Sequence, residues 1–163
     1  MATPEERKRD RPGVIAHPPF IYLGFLAIGI VLGFVWPLPI VDGALSTRER
    51  LALAVLLAAS GAALLGVGIS QFRKRETHFR TDRPSTAVIT DGLYSVSRNP
   101  LYIALTLIYV GLSLAMNNLW ALALIVAVLV TVRYGVFARE EAYLERKFGE
   151  VYLGYKRRVR RWL

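Results

Sequence analysis

Three long stretches of this chain carry no charged side chain, and they constrain its fold more than any other feature. They cover residues 18–41, 51–72 and 99–132, which is 24, 22 and 34 residues. A helix needs about 20 apolar residues to cross a hydrocarbon core about 30 Å thick. The first two stretches therefore each read as one transmembrane helix. Pro37 and Pro39 should end the first, because proline cannot continue the helical hydrogen-bond ladder. Ser46 or Thr47 is a suitable N-cap for the second.

The third stretch is too long for one crossing. At 1.5 Å per residue its 34 residues would extend about 51 Å as a single helix. Asn117-Asn118 divides it, since asparagine forms turns readily and is a poor guest in lipid. The division predicts a tight hairpin, with Pro100 in the first turn of the third helix and a fourth helix from near Leu119 to about Phe148. The predicted fold is all-α, a polytopic membrane protein of about four transmembrane helices with a C-terminal interfacial helix. Residues 1–17 read as a flexible tail and residues 18–163 as one membrane-embedded domain.

Charge distribution orients these helices. Hydrophobic residues make up 54% of the 163, the mean hydropathy is +0.38, and yet the formal net charge is +9. Apolar segments in lipid and basic ones at an anionic membrane face account for this combination better than nucleic-acid binding does. Of the 21 basic residues, two (Arg48 and Arg50) lie between the first and second stretches, and the hairpin turn has none. The other nineteen fall in the N-terminal tail, in residues 73–98 and from Arg133 onward. Four crossings with both termini cytoplasmic put all nineteen on one side, as the positive-inside rule requires. There is no cysteine, which excludes disulfides and thiol chemistry, and two histidines are too few for a structural zinc site.

Two polar segments fall on that same predicted cytoplasmic face, one entering the third helix and one leaving the fourth. The first contains Gly92, Tyr94, Arg98, Asn99, Pro100 and Tyr102; the second contains Glu140, Glu141, Leu144, Phe148, Gly149, Tyr152 and Tyr155. In this order and spacing they resemble the motifs of the isoprenylcysteine carboxyl methyltransferase and phospholipid methyltransferase family of integral membrane enzymes. The resemblance covers about half the chain, residues 84–159. It implies S-adenosyl-L-methionine as methyl donor and a lipophilic acceptor, the carboxylate of a prenylcysteine-like compound or a lipid amine. By motif position it implies that Thr86, Ala87, Val88, Ile89 and Tyr94 line the cofactor site. Asn99, Pro100, Leu101 and Tyr102 contact the cofactor in the same comparison, with Glu140 at its amino-acid end. Asn99 stands where histidine is commonest in the family, Ala104 where glycine is frequent, and Val136 where the eukaryotic prenylcysteine enzymes carry arginine.

These residue types suit the chemistry in their own right. Methyl transfer from a sulfonium is an in-line displacement, so a protein mainly positions the partners and excludes water. Glu140 or Glu141 can hold an ammonium and Arg98 a carboxylate, which makes these three the candidate catalytic residues. Either glutamate can also take a proton from an amine acceptor. A salt-bridged, solvated helix face is the plainer account of Glu140-Glu141 taken alone. A non-enzymatic small membrane protein, such as a transporter subunit, assembly factor or lipid-binding scaffold, is the competing class.

The remaining features read as membrane fittings. Trp36, Trp120 and Trp162 are expected at the interfaces, and residues 151–163 form a basic amphipathic helix expected to lie on the membrane surface, where it could also cover the active site. Gly111, Ala115, Ala121, Ala123 and Ala127 are small enough to leave room between the third and fourth helices for an acyl or prenyl tail.

Overall fold

The computed structural model describes residues 12–40, 45–74 and 88–162. These residues form helices α1 (Pro18–Val35), α2 (Thr47–Lys74), α3 (Pro100–Ala115), α4 (Leu119–Phe148) and α5 (Glu150–Arg158). A single 3-10 turn, Gly92–Ser95, precedes α3. α1, α2 and α4 are long and apolar enough to cross a membrane; α3 is apolar but shorter, at 16 residues. Phe34, Val55, Val67, Val126 and Val130 are exposed on the outer faces of these helices, as lipid-facing side chains are.

The helix ends fall where local chemistry puts them. Two prolines open α1, and it stops before Pro37. Ser46 and Glu49 form a reciprocal capping box at the start of α2. The Ser46 hydroxyl accepts from the Glu49 amide at 3.3 Å, and the Glu49 carboxylate accepts from the Ser46 amide at 2.8 Å. Both asparagines of the hairpin turn are used. Asn117 takes the left-handed conformation (φ 50°), while Asn118 Oδ1 accepts from the Ala121 amide at 3.1 Å and caps α4. The Arg50 guanidinium reaches across to the Leu114 and Ala115 carbonyls at the end of α3.

α2 packs mainly along α3, and α1 packs across α3 and the first half of α4. Hydroxyls inside this bundle find acceptors, as an interior without water demands. Tyr109 Oη donates to the Ala121 carbonyl at 2.8 Å, and Thr106 Oγ1 donates to the Tyr102 carbonyl at 2.8 Å. Two of the small residues, Gly111 and Ala121, are taken up by this packing. A Cβ on Gly111 would lie 2.8 Å from the Ala54 carbonyl of α2, and Ala121 is fully enclosed in the core beside α1. Ala115 and Ala123 face outward.

Toward its end α4 widens into one π turn, Arg133–Phe137. Such turns re-aim the residues that follow and often sit at functional sites. Phe137 is buried there, edge-on to Tyr102 of α3 at 4.5 Å between ring centres. The chain then turns at Gly149, whose φ of 50° and ψ of −127° suit a residue without Cβ, and α5 runs back against the bundle.

Candidate functional site

At the end of the bundle opposite the Asn117-Asn118 turn lies a cavity of about 540 Å³. Every helix supplies part of its wall. Phe20 of α1, Leu65, Ile69 and Phe72 of α2, and Leu105 of α3 form an apolar side. Arg98, Tyr102, Glu140, Glu141 and Tyr152 form a polar one. The polar side is assembled where the start of α3 meets the end of α4, which the hairpin brings together from positions about 40 residues apart in sequence.

Glu141 is the electrostatic centre of that side. It is buried, and Arg161 donates to both of its oxygens, Nε to Oε1 at 3.0 Å and Nη2 to Oε2 at 2.8 Å. Arg98 approaches from within the cavity wall, its Nη1 3.0 Å from Oε1. That is close enough for charge attraction but out of line for a hydrogen bond. Arg98 Nε and Nη1 are thus buried without a hydrogen-bond partner among the described residues. Lys156 lies 3.9 Å from Oε2 and pairs more closely with Glu145.

Glu140 has a different setting. Its carboxylate accepts from the Tyr102 phenol, at 3.0 Å to one oxygen and 2.9 Å to the other. Among the described residues no cation pairs with it. The two adjacent glutamates are therefore distinct: one is paired with arginines, and the other faces the cavity without a cation among the described residues.

The tyrosines of α5 close the site. Tyr155 donates to the Tyr94 carbonyl at 2.6 Å, and Tyr94 lies edge-on to Phe72 with ring centres 5.6 Å apart. Ile89, Tyr94, Tyr152 and Tyr155 form a buried cluster. Burial pushes the Tyr152 phenol up to about 12, with the Glu141 carboxylate adding to the rise and Arg98 opposing it. After α5, residues 159–162 strap back over the start of α3. The Arg160 carbonyl accepts from the Arg98 amide at 3.0 Å, the Arg161 carbonyl accepts from Asn99 Nδ2 at 3.1 Å, and Trp162 sits edge-on to Phe137.

Most of the residues expected from sequence meet here. Val88, Ile89 and Tyr94 line the cavity on one side, and Arg98, Asn99, Leu101 and Tyr102 line it at the start of α3. Glu140 and Glu141 face them from α4. Pro100 is buried at the first position of α3 but is not part of the cavity wall. Thr86 and Ala87 lie outside the described residues, as does His78.

The C-terminal segment covers the site: the apolar side of α5 is buried against it, and Trp162 packs on Phe137. Sequence reasoning missed Tyr152, Tyr155 and His17 as lining residues and Arg161 as the partner of Glu141. The signal for the tyrosines was present, since positions 152 and 155 share one face of a short helix.

Comparison with known proteins agrees with this architecture. A 64-residue part of the chain (39% of it) is 45% identical to an uncharacterized protein of Haemophilus influenzae, over all of that relative's length. No solved structure matches. The phospholipid methyltransferase family matches over residues 49–151, from the first turn of α2 into α5, which takes in the first polar segment, the second as far as Gly149, and with them Arg98, Glu140 and Glu141 of the cavity. The match spans well over half of the chain, and the protein belongs to the phospholipid methyltransferase family.

Proposed function

We propose that this protein is an S-adenosyl-L-methionine-dependent methyltransferase acting on a lipophilic acceptor. One observation carries the reading: a buried guanidinium with spare donors and a carboxylate without a cation line the same cavity. The amino-acid arm of S-adenosyl-L-methionine bears one carboxylate and one ammonium, which are the complements of Arg98 and Glu140. Buried donors without acceptors and a carboxylate without a cation are costly, so this arrangement favours a ligand that supplies both partners. When bound, the cofactor supplies an electrophilic methyl on a sulfonium.

The chain's own residues do the rest. Arg98 and Glu140 hold the two charged groups, and the Tyr102 phenol fixes the orientation of the Glu140 carboxylate. Val88, Ile89, Tyr94, Asn99 and Leu101 complete the wall beside them, and the rings of Tyr94 and Tyr102 offer faces that attract a cation. Phe20, Leu65, Ile69 and Leu105 suit an alkyl tail and keep water from the reacting atoms. An amine acceptor must lose a proton, for which a glutamate carboxylate at the cavity is the available base; a carboxylate acceptor needs none. The carboxylate of a prenylcysteine-like compound and a lipid amine both fit this description. Pro100 acts indirectly, by fixing where α3 begins. Thr86 and Ala87 join the site by family resemblance alone.

The basic asymmetry orients the protein with both termini cytoplasmic and the cavity at the cytoplasmic interface, in contact with lipid headgroups. The test is calorimetric titration of purified protein with S-adenosylhomocysteine, followed by transfer of labelled methyl from S-adenosyl-L-methionine to a lipid extract. Saturable binding and label in the organic phase are expected. Absence of binding by folded protein overturns the proposal.

A further inference from the structure

Two arginines compete for the carboxylate of Glu141, and the outer one holds the better geometry. Arg161, its side chain about a third exposed, takes both oxygens in a fork. Arg98, its side chain 10% exposed, reaches within 3.0 Å of one oxygen but out of line. Planar guanidinium and carboxylate groups favour the bidentate pairing, and a carboxylate locked in one such plane cannot rotate to form a second. Arg98 is thereby drawn toward Glu141 by charge while its Nε and Nη1 donors stay uncommitted.

We infer that Arg161 is a positioning residue: by saturating Glu141 it prevents Arg98 from collapsing onto that carboxylate and keeps the Arg98 donors available to the carboxylate of the bound cofactor. The inference rests on the cofactor site proposed above. Residues 159–162 form the latch that delivers Arg161. The latch is fastened by the Arg98 amide on the Arg160 carbonyl (3.0 Å) and by Ser97 Oγ and Asn99 Nδ2, both donating to the Arg161 carbonyl (3.2 and 3.1 Å). Trp162 closes it against Phe137, whose ring also meets Tyr102. The residues that hold the latch thus lie next to the residues that hold the ligand, so a loosened latch disturbs the amino-acid end of the site first.

The experiment compares wild type, Arg161→Ala and Arg161→Lys with two ligands. S-adenosylhomocysteine has the amino-acid arm, and 5′-methylthioadenosine has the nucleoside and sulfur without it. Arg161→Ala should weaken S-adenosylhomocysteine about tenfold or more and leave 5′-methylthioadenosine within about twofold, where tenfold corresponds to about 1.4 kcal/mol. Arg161→Lys should recover part of the loss, because lysine restores the charge without the fork. In an Arg98→Ala background Arg161→Ala should cost little more, since the outer arginine acts through the inner one. Hydrogen exchange gives a readout that needs no ligand: the Arg98 amide should lose protection in Arg161→Ala while the amides of α2 keep theirs. Equal loss for both ligands would mark a merely structural role and overturn the inference, as would unchanged S-adenosylhomocysteine affinity. If wild type binds neither ligand, the cofactor reading itself fails, and the positioning role fails with it.

Discussion

The Tyr102 phenol bridges both oxygens of the Glu140 carboxylate, at 2.9 and 3.0 Å, across 38 positions of sequence. One hydroxyl has a single proton to donate, so it orients the carboxylate without neutralising it. The carboxylate stays at the cavity, held at a fixed angle. Tyr102→Phe removes this guide and leaves the ring in its place against Phe137. S-adenosylhomocysteine affinity should fall about tenfold, in keeping with about 1.5 kcal/mol for a hydrogen bond to a charged group. Calorimetry on the variant reads this directly, and unchanged affinity would remove Tyr102 from the site.

Glu140→Gln keeps the shape and removes the charge. The loss of S-adenosylhomocysteine affinity should be about 1.5–3 kcal/mol, with helical content and melting temperature close to wild type. Glu141→Gln should behave differently. It frees two arginines in a buried setting, so it should lower the melting temperature as well as the affinity. Two variants with the same thermal behaviour would argue against distinct roles for the pair.

The proposed topology places Asn118 on the far side of the membrane, away from the nineteen basic residues. A chain without cysteine allows single-cysteine labelling with no background. Asn118→Cys should react with an impermeant reagent from outside intact cells, and a cysteine at Arg146 only after permeabilisation. Labelling of both from the same side would break the hairpin assignment.

Gly149 turns the chain between α4 and α5 at φ 50° and ψ −127°, a region that L side chains rarely occupy. Gly149→Ala should cost about 1–3 kcal/mol of stability, the range for backbone held in such a conformation. There is open space where the methyl would go, so the cost is conformational and not steric. Thermal melts in detergent provide the measurement. No change in melting temperature would show that the turn relaxes to another conformation.

Much of the bundle could be read from the chain because its signals are local. A 22-residue uncharged run can do little but cross a bilayer, and a proline pair or a serine three residues before a glutamate sets a helix end with nearby atoms. The two asparagines showed where the hairpin turns for the same reason. The fate of α5 was harder to see. Apolar positions 152, 155, 159 and 162 reveal that one face is buried, but periodicity is silent on what buries it, lipid or protein. Only the tertiary structure decides, through partners such as the Tyr94 carbonyl for Tyr155. The Glu140-Glu141 pair was ambiguous in the same way. Adjacent residues on a helix point about 100° apart, so one meets Arg161 and the other meets Tyr102. The small residues of α3 and α4 were ambiguous too, since a small side chain permits close packing as readily as it leaves a gap.

The cavity wall draws on residues from Pro12 to Tyr155, with contributions from all five helices. No fragment of the chain contains it, and it comes into being only when the last segment has docked. A molecule held there acts as a keystone: its binding energy is shared by every helix at once. At a hundred times its dissociation constant such a ligand adds about 2.7 kcal/mol to the whole assembly. Protection by ligand should therefore reach Arg50 and the capped end of α3, at the opposite end of the bundle, as fully as the site itself.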